Sequence, residues 1–270
     1  MESTKKRVLF VSSEMSPFLD ESPLANLARM LPQALQERDN EIRVLVPRFG
    51  VINERRNRLH EVVRLSGINI SIDDNDNPLI IKVASIPQTK MQVYFLDNED
   101  YFHRKAIYND DNGKFFDDND ERTIFFCKGV METVKKLGWA PDIIHCQGWM
   151  TSLIPLYLKT IYKNEPVFRN AKVIYSVYDE SSMENLGKDF ARKAGLNAID
   201  EEQMGTYADS DLKGLHIGAV RHSDAVITNG INMENQMADH LAEKPTLRHS
   251  DEGFEEQYVT FYEQLMSQVN

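Results

Sequence analysis

Two hydrophobic periods alternate along the chain. Arg7-Val-Leu-Phe-Val-Ser-Ser13 is a short apolar, β-branched run, the mark of a strand buried on both faces. After a polar stretch, Leu24, Leu27, Ala28, Leu31, Ala34 and Leu35 fall at helix spacing with one buried stripe. Ser22-Pro23 suits the start of that helix, Ser as N-cap and Pro at the first helical position. Ile42 to Pro47 is a second buried run. Strand, helix and strand in this order form a right-handed parallel crossover. Ligands bind at the carboxyl ends of such strands, so Glu14 to Pro23 is where one is expected.

The alternation continues. Segments 61–65, 68–72, 79–83 and 91–96 are β-rich with partial alternation, and an acidic turn at 73–77 separates two of them. They predict a small antiparallel excursion leading back to the sheet. Residues 97–121 read as a polar, aromatic loop, followed by a helix over 122–137 that Gly138 stops. Strands are predicted at 141–146, 172–177 and 224–228, with helices at 148–162, within 178–199, at 216–222 and at 231–241. Phe254, Tyr258, Phe261, Tyr262, Leu265 and Met266 trace one face of a terminal amphipathic helix. The expected fold is α/β: six or seven strands in a single doubly wound, mostly parallel, Rossmann-like sheet flanked by helices, with the small β excursion. The expected division is a domain over 1–250 and, over 251–270, an amphipathic helix packed on it.

Composition narrows the function classes. A net charge of -11 argues against a nucleic-acid binder, which needs a basic face. The apolar runs are strand length, too short to span a membrane. The N-terminal MESTKKR has no apolar segment of the secretory kind, and two cysteines make no disulfide framework, so a cytoplasmic protein is expected.

Standard chemical motifs are silent. No Walker A, G-x-G-x-x-G or G-x-S-x-G is present. His145 and Cys146 are neighbours on a strand and point to opposite faces, which argues against a nucleophile pair. The seven histidines show no metal-ligand spacing, so neither metal nor cofactor is expected. The loop from Glu14 to Pro23 has no Gly, Lys or Arg and carries Glu14, Asp20 and Glu21. On the residues alone, the plainer reading is a solvated acidic loop that caps a helix.

The order RVLFVSSEMSPF, LANLARMLPQAL, IRVLVPRF, YFHRKAIY, DDNDER, PDIIHCQGW and DLKGL-x-x-GAVRHSDAVIT resembles the N-terminal domain of bacterial glycogen synthases and plant starch synthases. That family transfers glucose from ADP-glucose to the end of an α-1,4-glucan, between two Rossmann-like domains. The resemblance implies that a first loop of the form S-E-x-x-P-F-x-K-T-G-G-L meets the sugar nucleotide's phosphates. Here Ser13, Glu14, Pro17, Phe18 and Leu24 match, and Asp20-Glu21-Ser22-Pro23 replaces Lys-Thr-Gly-Gly. In the second motif, H-x-H-D-W-Q-T-G-L, Gln147 stands for the second His and Gly148 for Asp. In the third, T-I-H-N, Tyr178 stands for the catalytic-centre His and Asp179 for Asn.

The candidate cleft residues are therefore Glu14, Asp20, Gln147, Tyr178 and Asp179, and no catalytic residue is assigned. No counterpart of the family's second domain is expected in these 270 residues. Three readings follow: a non-catalytic homologue that binds an α-glucan, a synthase or another protein; an active glucosyltransferase completed by a partner carrying the missing domain; and an interaction module unrelated to glucan.

Overall fold

The computed structural model describes residues 5–87, 89, 91–195 and 199–267. Seven parallel strands form the main sheet: β1 (Arg7–Ser12), β2 (Glu41–Pro47), β6 (Gln92–Asp97), β7 (Ile143–Gln147), β8 (Lys172–Val177), β9 (Ala225–Thr228) and β10 (Thr246–Arg248). The excursion is β3 (His60–Glu61), β4 (Ile68–Ile72) and β5 (Asn75–Ser85), and β5 runs antiparallel to β6. The order is β10-β9-β8-β7-β1-β2-β6-β5-β3, with β4 paired to β5 outside this row. The chain is thus the doubly wound α/β fold that its alternating pattern predicts. Val8, Leu9, Phe10 and Val11 are all buried, as a central strand covered on both faces requires.

Strand order reverses between β1 and β7. From β1 the chain winds outward through β2 and β6, and from β7 it winds the other way through β8 and β9. In open sheets of this kind the loops that follow such a pair of strands border the ligand crevice, at the carboxyl ends. The loop after β8 lies beside it.

The Pro23–Glu37 helix follows β1. Ser22 is its N-cap, with extended backbone and its Oγ accepting from the Ala25 amide at 2.9 Å. The Phe254–Ser267 helix packs near it and over β7. Phe254, Tyr258, Phe261, Tyr262 and Leu265 are buried there, and Arg38 pairs with Glu255 at 3.1 Å. Among the described residues, no helix is long and apolar enough to cross a membrane.

Several boundaries differ from the periodicity. The segment 61–65 is mostly a turn, in which the Val62 carbonyl accepts from the amides of Leu65 and Ser66. The helix expected from 122 begins at Asn119, because its first turn buries polar side chains that bond one another. Asn119 donates to the Tyr108 carbonyl at 2.9 Å, and Arg122 donates to Asn119 Oδ1. The helix expected from 216 begins at Leu212, where Asp211 caps the Gly214 amide at 2.7 Å. The helix expected at 231–241 breaks at Met237. Of the helix expected within 178–199, Phe190–Gly195 is present, and 196–198 lie outside the described residues. Strand β10 has three residues, too few for a readable period.

Candidate active-site cleft

Glu14 is the first side chain of the crevice. Ser12 Oγ donates to the Glu14 carbonyl at 2.7 Å, and the Ser13 amide donates to the Gln147 carbonyl at 3.2 Å. These bonds tie the loop to the ends of β1 and β7. The Glu14 carboxylate accepts from Ser22 Oγ at 2.9 Å and from the Tyr108 hydroxyl at 3.4 Å. Burial pushes its carboxyl above the ordinary range, and these two hydrogen bonds oppose that rise. Ser22 therefore serves two groups: it caps the helix and holds Glu14. Asp20 is exposed, away from these contacts.

Gly148 follows β7 with φ of 86°, a backbone state that side-chain-bearing residues rarely adopt. A Cβ there would lie 2.3 Å from Ser13 Oγ, 2.8 Å from Leu24 Cδ1 and 3.2 Å from Glu180 Oε1. The space is filled by Ser13 and Leu24 and, from the loop after β8, by Glu180. Glu180 Oε2 accepts from the Trp149 amide at 2.8 Å. Burial, and then the charge of Glu14, push the Glu180 carboxyl up to about 8, while the Trp149 amide pulls the other way. Glu180 was not singled out from the sequence. Its signal is faint: an acid two residues past Tyr178 that lies outside every quoted motif.

Gln147 and Tyr178 meet in the interior. Gln147 Nε2 donates to the Tyr178 hydroxyl at 3.4 Å, and both side chains are buried. Burial keeps that hydroxyl protonated well beyond its ordinary range. Gln147 Oε1 has no partner among the described residues. Asp179 turns elsewhere. Its carboxylate accepts from the Met233 amide at 2.8 Å and the Asn232 amide at 3.2 Å, capping the Ile231–Gln236 helix. Gly230 makes room, since a Cβ there would sit 2.6 Å from the Asp179 carboxyl carbon.

His145 points to the face covered by the terminal helix. Its Nε2 lies 2.6 Å from Ser176 Oγ and its Nδ1 lies 2.6 Å from the Tyr262 hydroxyl. Burial pulls its pKa down to about 3, so the ring is neutral and one hydroxyl donates while the other accepts. His216 is buried likewise, accepting from the Tyr175 hydroxyl at 2.8 Å and donating to the Tyr178 carbonyl at 3.0 Å. Among the described residues, no three His, Cys, Asp or Glu side chains are grouped to hold a metal ion.

The crevice thus sits at the switch point of a doubly wound sheet, bounded by the loops after β1, β7 and β8. The model of the starch synthase catalytic domain family matches residues 7–246. The chain belongs to the starch synthase catalytic domain family. The glycogen synthase of Chlorobaculum tepidum is 39% identical over 241 residues, which cover 86% of this chain and 47% of that protein. The glycogen synthase of Chlorobium limicola is 45% identical over 174 residues, 64% of this chain and 36% of that protein. The chain therefore spans less than half the length of these relatives. The catalytic domain of starch synthase IV from Arabidopsis thaliana, bound to ADP and acarbose, shares the fold, with a TM-score of 0.73 at 16% identity. The match covers 94% of this chain and 53% of that one.

Several residues that fit the starch synthase pattern serve the fold. Arg104 donates to Asp118 at 2.9 Å, and Asp224 accepts from the Val173 amide and from Lys159, each at 2.8 Å. Of the departures, Gln147, Gly148 and Tyr178 lie at the ends of β7 and β8, whereas Asp20 is exposed and Asp179 caps a helix; Glu180 stands beside Gly148. Where the family pattern carries an Asp, this chain has Gly148, and the Glu180 carboxylate enters from the neighbouring loop.

Proposed function

We propose that this domain does not transfer glucose in its own cleft and serves glucan metabolism in the cytoplasm by binding an α-glucan or a synthase or other protein partner. One observation carries the reading. The loops that bound the crevice bring in Glu14 and Glu180, while the β1 loop, from Ser13 to Pro23, holds no Lys or Arg. Transfer from a sugar nucleotide needs positive charge where the diphosphate departs. Here the two acids supply none, and burial together with their mutual repulsion favours their protonated forms. Pro23 also lacks the N–H that a phosphate-binding turn would offer. Hydroxyl and carboxylate groups around Glu14 suit neutral saccharide hydroxyls better than phosphate.

The test is thermal denaturation with maltooligosaccharides and with ADP-glucose. A ligand that binds the native state raises its stability by mass action. The reading expects a higher Tm with maltooligosaccharide and no response to ADP-glucose; the reverse pattern would overturn it.

A second reading is favoured by the 39% identity to a glycogen synthase across 86% of this chain. In it, the domain is an ADP-glucose or UDP-glucose α-1,4-glucan glucosyltransferase whose nucleotide site is completed by a partner. Glucosyl transfer that appears only on mixing with such a partner would support it. Failure of every such mixture to give transfer would count against it.

A further inference from the structure

The positive charge missing from the cleft lies on the far side of the same loop. Phe18, in the middle of the β1 loop, packs edge-on against Phe95 with ring centroids 4.9 Å apart. It lines a groove of about 770 Å³ together with Arg56, Arg58, His60, Ile86 and Pro87. The arginines come from the short Glu54–Asn57 helix and its C-cap. Arg58 holds φ of 52°, a left-handed state that costs energy for any residue with a Cβ.

These cations are left over by the local ion pairs. Glu54, the acid on the same helix, is held by Arg48 and by Lys82 at 2.7 Å. Arg48 and Lys82 also meet the buried Asp97, at 3.6 and 2.8 Å. Among the described residues, Arg55, Arg56 and Arg58 form no ion pair, and all three are exposed. Three guanidiniums within four residues, with His60 beside them, make a field opposite in sign to a chain of net charge -11. A guanidinium fork matches the oxygens of a phosphate. Pro87, exposed, and the rim of the largely buried Phe18 ring give the groove a narrow apolar edge, and the volume falls in the range of about 300–1,000 Å³ usual for a small-molecule site.

We propose that this groove binds a phosphate monoester carried on a ring, with the phosphate on Arg56 and Arg58 and the ring against Pro87 and the rim of Phe18. The site is separate from the cleft and does not depend on the reading of the cleft.

Isothermal titration of the full chain with AMP tests it, with adenosine as the uncharged control and the R56Q/R58Q variant as the site control. Both arginines are exposed, so the variant is expected to keep the wild-type Tm, which a thermal melt checks. The proposal expects one AMP site, binding of adenosine weaker by tenfold or more, and a similar loss in R56Q/R58Q. Absence of AMP binding, equal binding of adenosine, or undiminished AMP binding by R56Q/R58Q would each overturn it.

Discussion

Glu180 and Gly148 form one local device. The carboxylate, with Ser13 and Leu24, crowds the position where a side chain on residue 148 would begin, and it satisfies the Trp149 amide. Gly148→Ala therefore meets both a clash with Ser13 Oγ and an unfavourable φ, and is expected to cost about 1–3 kcal/mol in urea denaturation. The raised Glu180 pKa has a pH consequence. Between its ordinary value of 4.5 and about 8, the folded state keeps a proton that the unfolded chain has released. Stability from this group is thus full below 4.5 and is lost as pH rises toward 8. Glu14, raised as well, acts in the same direction. The buried His145 and His216, pulled down to about 3 and 4, act oppositely, but only up to their unfolded value of 6.5. Wild type is expected to lose stability between pH 6.5 and 8, and Glu180→Gln to flatten that slope when both are melted across the window. Tyr262→Phe removes one of the two partners of His145. It is expected to cost about 1–2 kcal/mol, because a buried ring nitrogen is left unpaired.

The elements were legible wherever apolar residues repeat. The strands β1, β2, β6, β7, β8 and β9 and the Pro23–Glu37 helix follow from runs and stripes that only burial explains. What escaped was polar or short. The Asn119 start of its helix is set by Asn119, Arg122 and Thr123, which are buried because they bond one another, and a hydrophobic pattern cannot show that. Glu14 was reached through a match to a family motif, and Gln147 and Tyr178 as departures from two others. The capping role of Asp179 and the entry of Glu180 depend on which loops meet, which the chain order does not state. The terminal helix is an element with a measurable role. It buries five large side chains, and at about 1.5–3 kcal/mol each this is on the order of 10 kcal/mol, comparable with the whole stability of a typical domain. Removing residues 252–270 is expected to give an insoluble or unfolded chain by circular dichroism. A well-folded truncated chain would show that the helix is dispensable to the fold.

At the scale of the molecule, the starch synthase family fold is present, with Asp20-Glu21-Ser22-Pro23, Gln147 and Tyr178 at positions where the family motifs carry other residues. The sheet, its switch point and the pairs Arg104–Asp118 and Lys159–Asp224 are those of an ordered catalytic-domain scaffold. The acids at the crevice, Glu14 and Glu180, are held toward their protonated forms by burial, and Arg56 and Arg58, which form no ion pair among the described residues, lie on the far side of the β1 loop. That division argues for binding without transfer. The most direct measurement is glucosyl transfer from ADP-glucose and from UDP-glucose to a maltooligosaccharide by the purified chain. The account predicts no elongation above the enzyme-free control with either donor. Sustained elongation of the acceptor by the chain alone would contradict it.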